Sequence, residues 1–397
     1  MSRKDTLTVS NNDIAKSNTL SFRFYFLSMC LMCVVAYALV MKSSVFADSE
    51  LRKNIEWRKT DFSKHSVNIG EIESGGPPKD GIPAIDKPKF ISIKQADQWL
   101  NSQEPVIVLT LKGQVHAYPL QVLIYHEIVN DELANIPVIV TFCPLCNASI
   151  IFDRRVEGRV LDFGVTGKLR KSDMIMYDRQ TESWWQQFTG KGIVGEYTGT
   201  VLKQIPASIV AYGDFRESYP TGLVLSKKTG YSRPYGRNPY KGYDRVGGSP
   251  FLFKGKTDER LFAMERVIFV RHGNQHRLYP FRLVDELNVI NDELGDLKIV
   301  IFGKQGTLSA LDEEEINRSR KIVSATAWSR RLDGKTLTFE FTDNRIRDKE
   351  TGSLWSILGK AVSGSYEGQQ LHRVDSGVHF AFAWLAFNPD SDIYEAP

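Results

Sequence analysis

The chain has 397 residues, 42% hydrophobic and 25% charged, with a formal net charge of +4. That length suits about two domains, and the composition is ordinary for a globular protein. So small a net charge argues against a nucleic-acid binder, whose basic residues would be concentrated on one face. The 22 Phe, 15 Tyr and 7 Trp, among many Val, Ile and Thr runs, favour β structure.

Residues 1–23 carry Arg3, Lys4, Lys16 and Arg23 and read as a cytoplasmic leader. A charge-free run follows at 24–41 and Lys42 closes it. This is close to the shortest stretch that spans a bilayer as a helix, and the preceding cations hold the N-terminus in the cytoplasm. The expectation is an inner-membrane anchor with periplasmic domains. The alternatives are a signal segment cleaved near Ala47, which would release a secreted protein, and a buried soluble helix. Cys30 and Cys33 fall inside this run and read as small apolar residues. Either membrane reading places the rest of the chain where an isolated pair of thiols tends to oxidise.

Residues 42–88 are polar, with Gly75-Gly76-Pro77-Pro78, and read as a spacer. A first domain is expected over 89–220. It begins with a short helix at 94–100 and strands at 106–111 and 114–118. Pro119 then opens a helix from Leu120 to about Val129, since proline suits a first turn. An apolar strand, Val138 to Phe142, runs into Cys143-Pro144-Leu145-Cys146. Segments 148–153 and 159–165 suggest a hairpin around Glu157-Gly158.

The chain then resembles itself. Tyr118-Pro119-Leu120 recurs as Tyr279-Pro280-Phe281, and Asn130-Asp131-Glu132-Leu133 as Asn291-Asp292-Glu293-Leu294. Val138-Ile139-Val140 matches Ile299-Val300-Ile301, and Asp178 to Ser183 matches Asp348 to Ser353, followed by Trp185 and Trp355. Ordered matches of this kind imply a second copy. The expected fold is therefore mainly β (β-rich α+β), as two tandem repeat domains, with a degenerate second copy over 256–397. Features present in both copies read as scaffold, the Asn-Asp-Glu-Leu stretch as a turn. Features of the first copy alone are candidates for chemistry. These are His126, Glu127, the C-x-x-C pair, and six additional residues ahead of Asp178 that include Asp173. The crossover 221–255 interleaves Tyr231, Tyr235, Tyr240 and Tyr243 with Arg233, Arg237, Lys241 and Arg245. It reads as an interdomain linker or as an aromatic, basic lid.

The run from Tyr118 through His126-Glu127 to Cys146, with Phe163-Gly164-Val165-Thr166-Gly167 and Ser172 to Ser183, resembles the bacterial and archaeal family labelled domain of unknown function 3179. The resemblance covers about residues 80–390 and is strongest over 113–245. Asn147 departs from it, where the family often has Gly. No settled activity comes with it, so the chemistry rests on the residues.

Three readings of the pair stay open. In the first, Cys143, Cys146 and His126 hold a transition metal, copper or zinc, in an enzyme of oxidoreductase or hydrolase type. Glu127 and Asp173 are then the catalytic candidates, Glu127 as general base. Tyr177, Trp184, Tyr235 and Arg237 are candidate contacts to an unknown small molecule. The second reading is thiol–disulfide exchange, although such pairs usually open a helix and 147–152 reads as a strand. The third is a binding module with a structural disulfide or zinc knuckle. His116, which falls on Arg277 in the second copy, reads as an exposed basic position, and His65, His272, His276, His372 and His379 read as surface or satisfied histidines.

Overall fold

The computed structural model describes residues 56–396, and the fold is mainly β with short helices. The apolar run at 24–41 lies outside the described residues; among those described, no helix is long and apolar enough to cross a membrane.

In the first half, strand Pro105–Leu111 turns at Lys112-Gly113 into Gln114–Pro119. Both turn residues have positive φ (48° and 81°), which matches the twist of a two-residue hairpin. Ser208–Ala211, Leu223–Leu225 and Phe90–Ser92 complete a five-stranded sheet. A second sheet pairs Ile128–Leu133 with Ile136–Cys143 and that strand with Ala148–Asp153. A third sheet holds the hairpin of Phe163–Arg170 and Asp173–Asp178, then Trp184–Gln186.

The helix expected from Leu120 to Val129 stops at Leu123. Ile128 and Val129 instead face Thr141 and Val140 across a ladder. Both faces of this segment are buried, so its apolar pattern has no helical or strand period to read. Asn130 to Leu133, expected as a turn, is the end of that strand. The turn lies one step on, at Ala134-Asn135, where φ is 53° and 60°.

The second half repeats these registers. Val106 faces Pro119 as Val267 faces Pro280, and Asn130 faces Ile139 as Asn291 faces Val300. The recurring side chains make the same bonds. Tyr118 donates to Asp131 at 2.6 Å and Tyr279 to Asp292 at 2.7 Å. Asn130 brackets the backbone of Phe163, and Asn291 that of Phe339. Asp178 accepts from Trp185 at 3.0 Å and Asp348 from Trp355 at 2.9 Å. These bonds fix one sheet against the next, which is why the residues recur.

The two halves share their core. One cluster joins Phe142 and Phe152 to Phe269 and Trp384, and another joins Val106 and Phe215 to Phe302 and Trp328. Each such ring removes enough apolar surface to contribute roughly 1.5–3 kcal/mol. The crossover is tied to the acidic insert of the second half. Asn238 N–H donates to the Glu314 carbonyl at 2.7 Å and Gly242 N–H to that of Asp312 at 2.6 Å. Arg237 pairs with Glu314, and Lys241 with Glu313 at 3.3 Å. Deeper in, the fully buried Asp244 takes Arg266 at 2.8 Å, Arg320 at 2.6 Å and the Ser309 hydroxyl at 2.5 Å.

Candidate functional site

Strand Ile136–Cys143 ends its ladder at Cys143, opposite Ala148. Pro144 has no N–H to continue the pairing, so the chain tightens into a 3₁₀ turn, Pro144–Cys146, closed by Asn147 at φ 48°. Asparagine tolerates that left-handed geometry better than most residues. The turn folds Cys146 back beside Cys143. With Asp173 they form a group whose ligand atoms all lie within 4.8 Å of one another. All three are buried to 1% exposure or less, and both cysteines are free thiols.

Asp173 reaches the thiols because its hairpin is long. The hairpin spans Phe163 to Asp178 in the first half, but only Phe339 to Asp348 in the second. The six additional residues extend its tip. Gly167, at φ 70°, sits where a Cβ would come 1.9 Å from the Pro77 carbonyl oxygen, so only glycine fits beneath the spacer. Asp173 Oδ2 accepts from Gln186 Nε2 at 2.6 Å and from Phe188 N–H at 2.9 Å. Its Oδ1 is buried with no partner in hydrogen-bonding geometry. Burial lifts this carboxyl to about 7, against the pull of Gln186, Phe188 and the Cys146 thiol.

Glu127 has φ 57°, a conformation that costs a non-glycine residue on the order of 1 kcal/mol. Its backbone is held from both sides, with N–H on the Leu123 carbonyl at 2.6 Å and its own carbonyl on Phe142 N–H at 2.8 Å. Its carboxyl has no hydrogen-bond partner among the described residues. Burial, and then the charge of Asp173, raise it to about 8. Strain at a buried, unpaired carboxyl points to function.

Glu127 lines a cavity of about 270 Å³ together with Leu145, Met174 and the hairpin residues Val165 and Leu169. Tyr240, Tyr243 and Phe251 of the crossover form another wall. Tyr243 donates to the Leu145 carbonyl, between the two cysteines, at 3.1 Å, and accepts from Phe251 N–H at 3.1 Å. Burial and the neighbouring Glu127 and Cys143 push the Tyr240 hydroxyl far up. Burial likewise raises the Cys143 thiol and, more strongly, that of Cys146.

The structure places Asp173, rather than His126, with the two thiols. The Pro83 carbonyl can only accept, so His126 Nδ1 donates to it at 2.7 Å, and Nε2 accepts from the Tyr235 hydroxyl at 2.6 Å. Both ring nitrogens are thereby taken. Tyr235 also meets Thr229 at 2.6 Å, so it seats the crossover. Arg237 is exposed on Glu314 and is absent from the cavity lining. Tyr177 donates to Asp80 at 2.5 Å, and Trp184 packs edge-on against Phe62 at 5.4 Å; neither lines this cavity. His116 is not a surface histidine: it is 9% exposed, stacked on Phe90 at 3.8 Å and bonded to Asp131. Tyr240 and Tyr243 stood out in the sequence only as part of a composition, and no short-range pattern places either tyrosine over the cysteines.

A family model described as a protein of unknown function, DUF3179, matches residues 79–391. No curated protein and no solved structure matches the chain.

Proposed function

The chain belongs to the DUF3179 family, and from that premise we propose that it is a metal-dependent enzyme whose ion is held by Cys143, Cys146 and Asp173. The observation that carries this reading is the convergence of two free thiols and a carboxylate oxygen within 4.8 Å, fully inside the protein. Thiolate and carboxylate donors suit zinc, with copper as the softer alternative. Three protein donors leave a coordination position for a reactant, and the ion would supply Lewis acidity there. Glu127 is the proton-transfer group: its carboxyl is unpaired, beside the donor set, and open to the cavity. Tyr240 and Tyr243 wall one side of the site. Metal uptake releases protons from the two thiols, so affinity rises with pH.

Thiol exchange is the weaker reading. It needs a lowered thiol pKa, whereas burial raises both here. We also propose that the two halves are copies of one fold, on the strength of their shared registers. Finally, we propose that residues 24–41 tether the chain to the inner membrane with its β domains outside the cytoplasm, on the strength of the charge-free run and the cations before it.

The test is metal content and free-thiol count on the purified chain. About one zinc or copper per chain is expected in the wild type and in His126→Ala, and less than a tenth of that in Cys143→Ser and Asp173→Asn. Loss in His126→Ala but not Asp173→Asn would sink the assignment. A metal-free protein with two oxidised cysteines would leave the thiol reading standing.

A further inference from the structure

The cavity beside Glu127 has a lining that describes its ligand, and that ligand's role as a substrate rests on the reading of the site as catalytic. The volume of about 270 Å³ corresponds to roughly nine water-sized volumes, and hence to a ligand of about ten non-hydrogen atoms. Ile82, Leu145, Val165, Leu169, Met174 and Phe251 make the wall mainly apolar. Phe251 is 47% exposed, so the apolar lining continues to the surface.

Two side chains break that surface with a full charge or the capacity for one. The first is Glu127, beside the donor set. The second, Lys168, is the only cation on the lining, and it has no acidic partner among the described residues. It follows the bulge at Val165–Lys168 on the extended arm of the hairpin, the arm that the second half lacks. Lys168 is partly buried, and an apolar cavity with one unpaired ammonium on its lining selects for one negative charge, because an ion pair partly shielded from water is stronger than the same pair at the surface. A cation-bearing or doubly charged ligand would leave a charge uncompensated against the apolar wall.

We propose that the substrate is a small aliphatic monoanion, an apolar carboxylate of about ten non-hydrogen atoms. Its charged end pairs with Lys168, and its apolar body lies along Leu145, Leu169 and Phe251.

Titration calorimetry on the full-length chain tests this with octanoate, octanol and octylamine as probes. Octanoate is expected to bind at least tenfold more tightly than octanol, with octylamine weakest. Lys168→Gln should reduce octanoate to the level of octanol and leave octanol unchanged. Leu169→Trp, which fills the cavity, should abolish binding of both; a thermal melt checks that it folds. Equal binding of octanoate and octanol, an unchanged ratio in Lys168→Gln, or no binding by any probe would overturn the proposal. Cys143→Ser separates this inference from the metal assignment. Octanoate binding retained there alongside lost metal supports both, and octanoate binding in a wild type without metal overturns the metal assignment alone.

Discussion

The two halves share strand registers and recurring side-chain bonds, and several of the places where they differ meet at one site. Glu127 and Asn288 occupy the same backbone position, with φ 57° and 56°, and their carbonyls accept from Phe142 and Gly303. The second half places there the residue type that tolerates left-handed geometry; the first half keeps a strained glutamate. Cys143 and Cys146 interrupt the first half's strand with a 3₁₀ turn, whereas Leu297–Leu308 runs on as one long strand. The hairpin of the first half is longer and delivers Lys168 and Asp173. The crossover sets Tyr235, Tyr240 and Tyr243 against the first half and Arg237 and Lys241 on the acidic insert of the second. The candidate site sits where the two halves differ, at strand ends and loops, while the bonds that set the registers are the same in both.

The largest way to break the comparison is to unpin the crossover. Asp244→Ala leaves Arg266, itself buried, without its carboxylate. Removing one partner of a buried pair typically costs about 3–5 kcal/mol. Chemical denaturation should show a loss of that size, with faster proteolysis around 231–245. A change under about 1 kcal/mol would mean that the crossover holds without Asp244.

A smaller effect contrasts two buried groups, one from each half. His379 is packed among Phe188, Phe269 and Trp384, and neither ring nitrogen has a hydrogen-bond partner. Burial lowers its pKa to about 3. The unfolded chain takes up a proton near pH 6.5 that the folded chain refuses, so stability is full above that pH. It falls by about 1.4 kcal/mol per unit as pH drops from there toward 3. His379→Phe should remove this slope, a relative gain of about 2 kcal/mol at pH 5. Melting curves at pH 7.5 and 5.0 read it directly, and parallel behaviour of the two proteins would refute it.

The smallest expected change, read at low pH, makes the first half resemble the second. Below about pH 4.5, where ionisation plays no part, Glu127→Asn should stabilise the fold by about 1 kcal/mol through relief of the left-handed backbone, and proton transfer at the site is lost. The sign of the pH dependence is opposite to that of His379. The folded pKa of Glu127 is raised to about 8, so its contribution is fully present below about pH 4.5 and is lost as pH rises toward 8. The stabilising effect of the variant should therefore grow by about 1.4 kcal/mol per unit from pH 5 toward pH 8. A destabilised Glu127→Asn would show that the carboxyl is a packing element, not a functional one.

The sequence by itself determined the mainly β class and the internal resemblance, and it singled out the C-x-x-C strand. Those properties live in neighbouring residues: β-branched runs, turn residues and recurring motifs are local signals. It also marked Glu127 and Asp173 as features of one half only. Tertiary structure alone decided which side chain lies beside the thiols. A helix ending at Leu123 turns His126 toward Pro83 and Tyr235, and a hairpin 26 residues beyond Cys146 brings Ser172 and its neighbour Asp173 to the site. The strand pairing at Ile128, buried on both faces, left no period by which the end of that helix could be read. Nor could spacing place Tyr240 and Tyr243 over the cysteines, because their position depends on bonds to Leu145 and to the acidic insert of the other half. Contacts between segments so far apart in the chain depend on sheet order and packing, which local sequence patterns do not record.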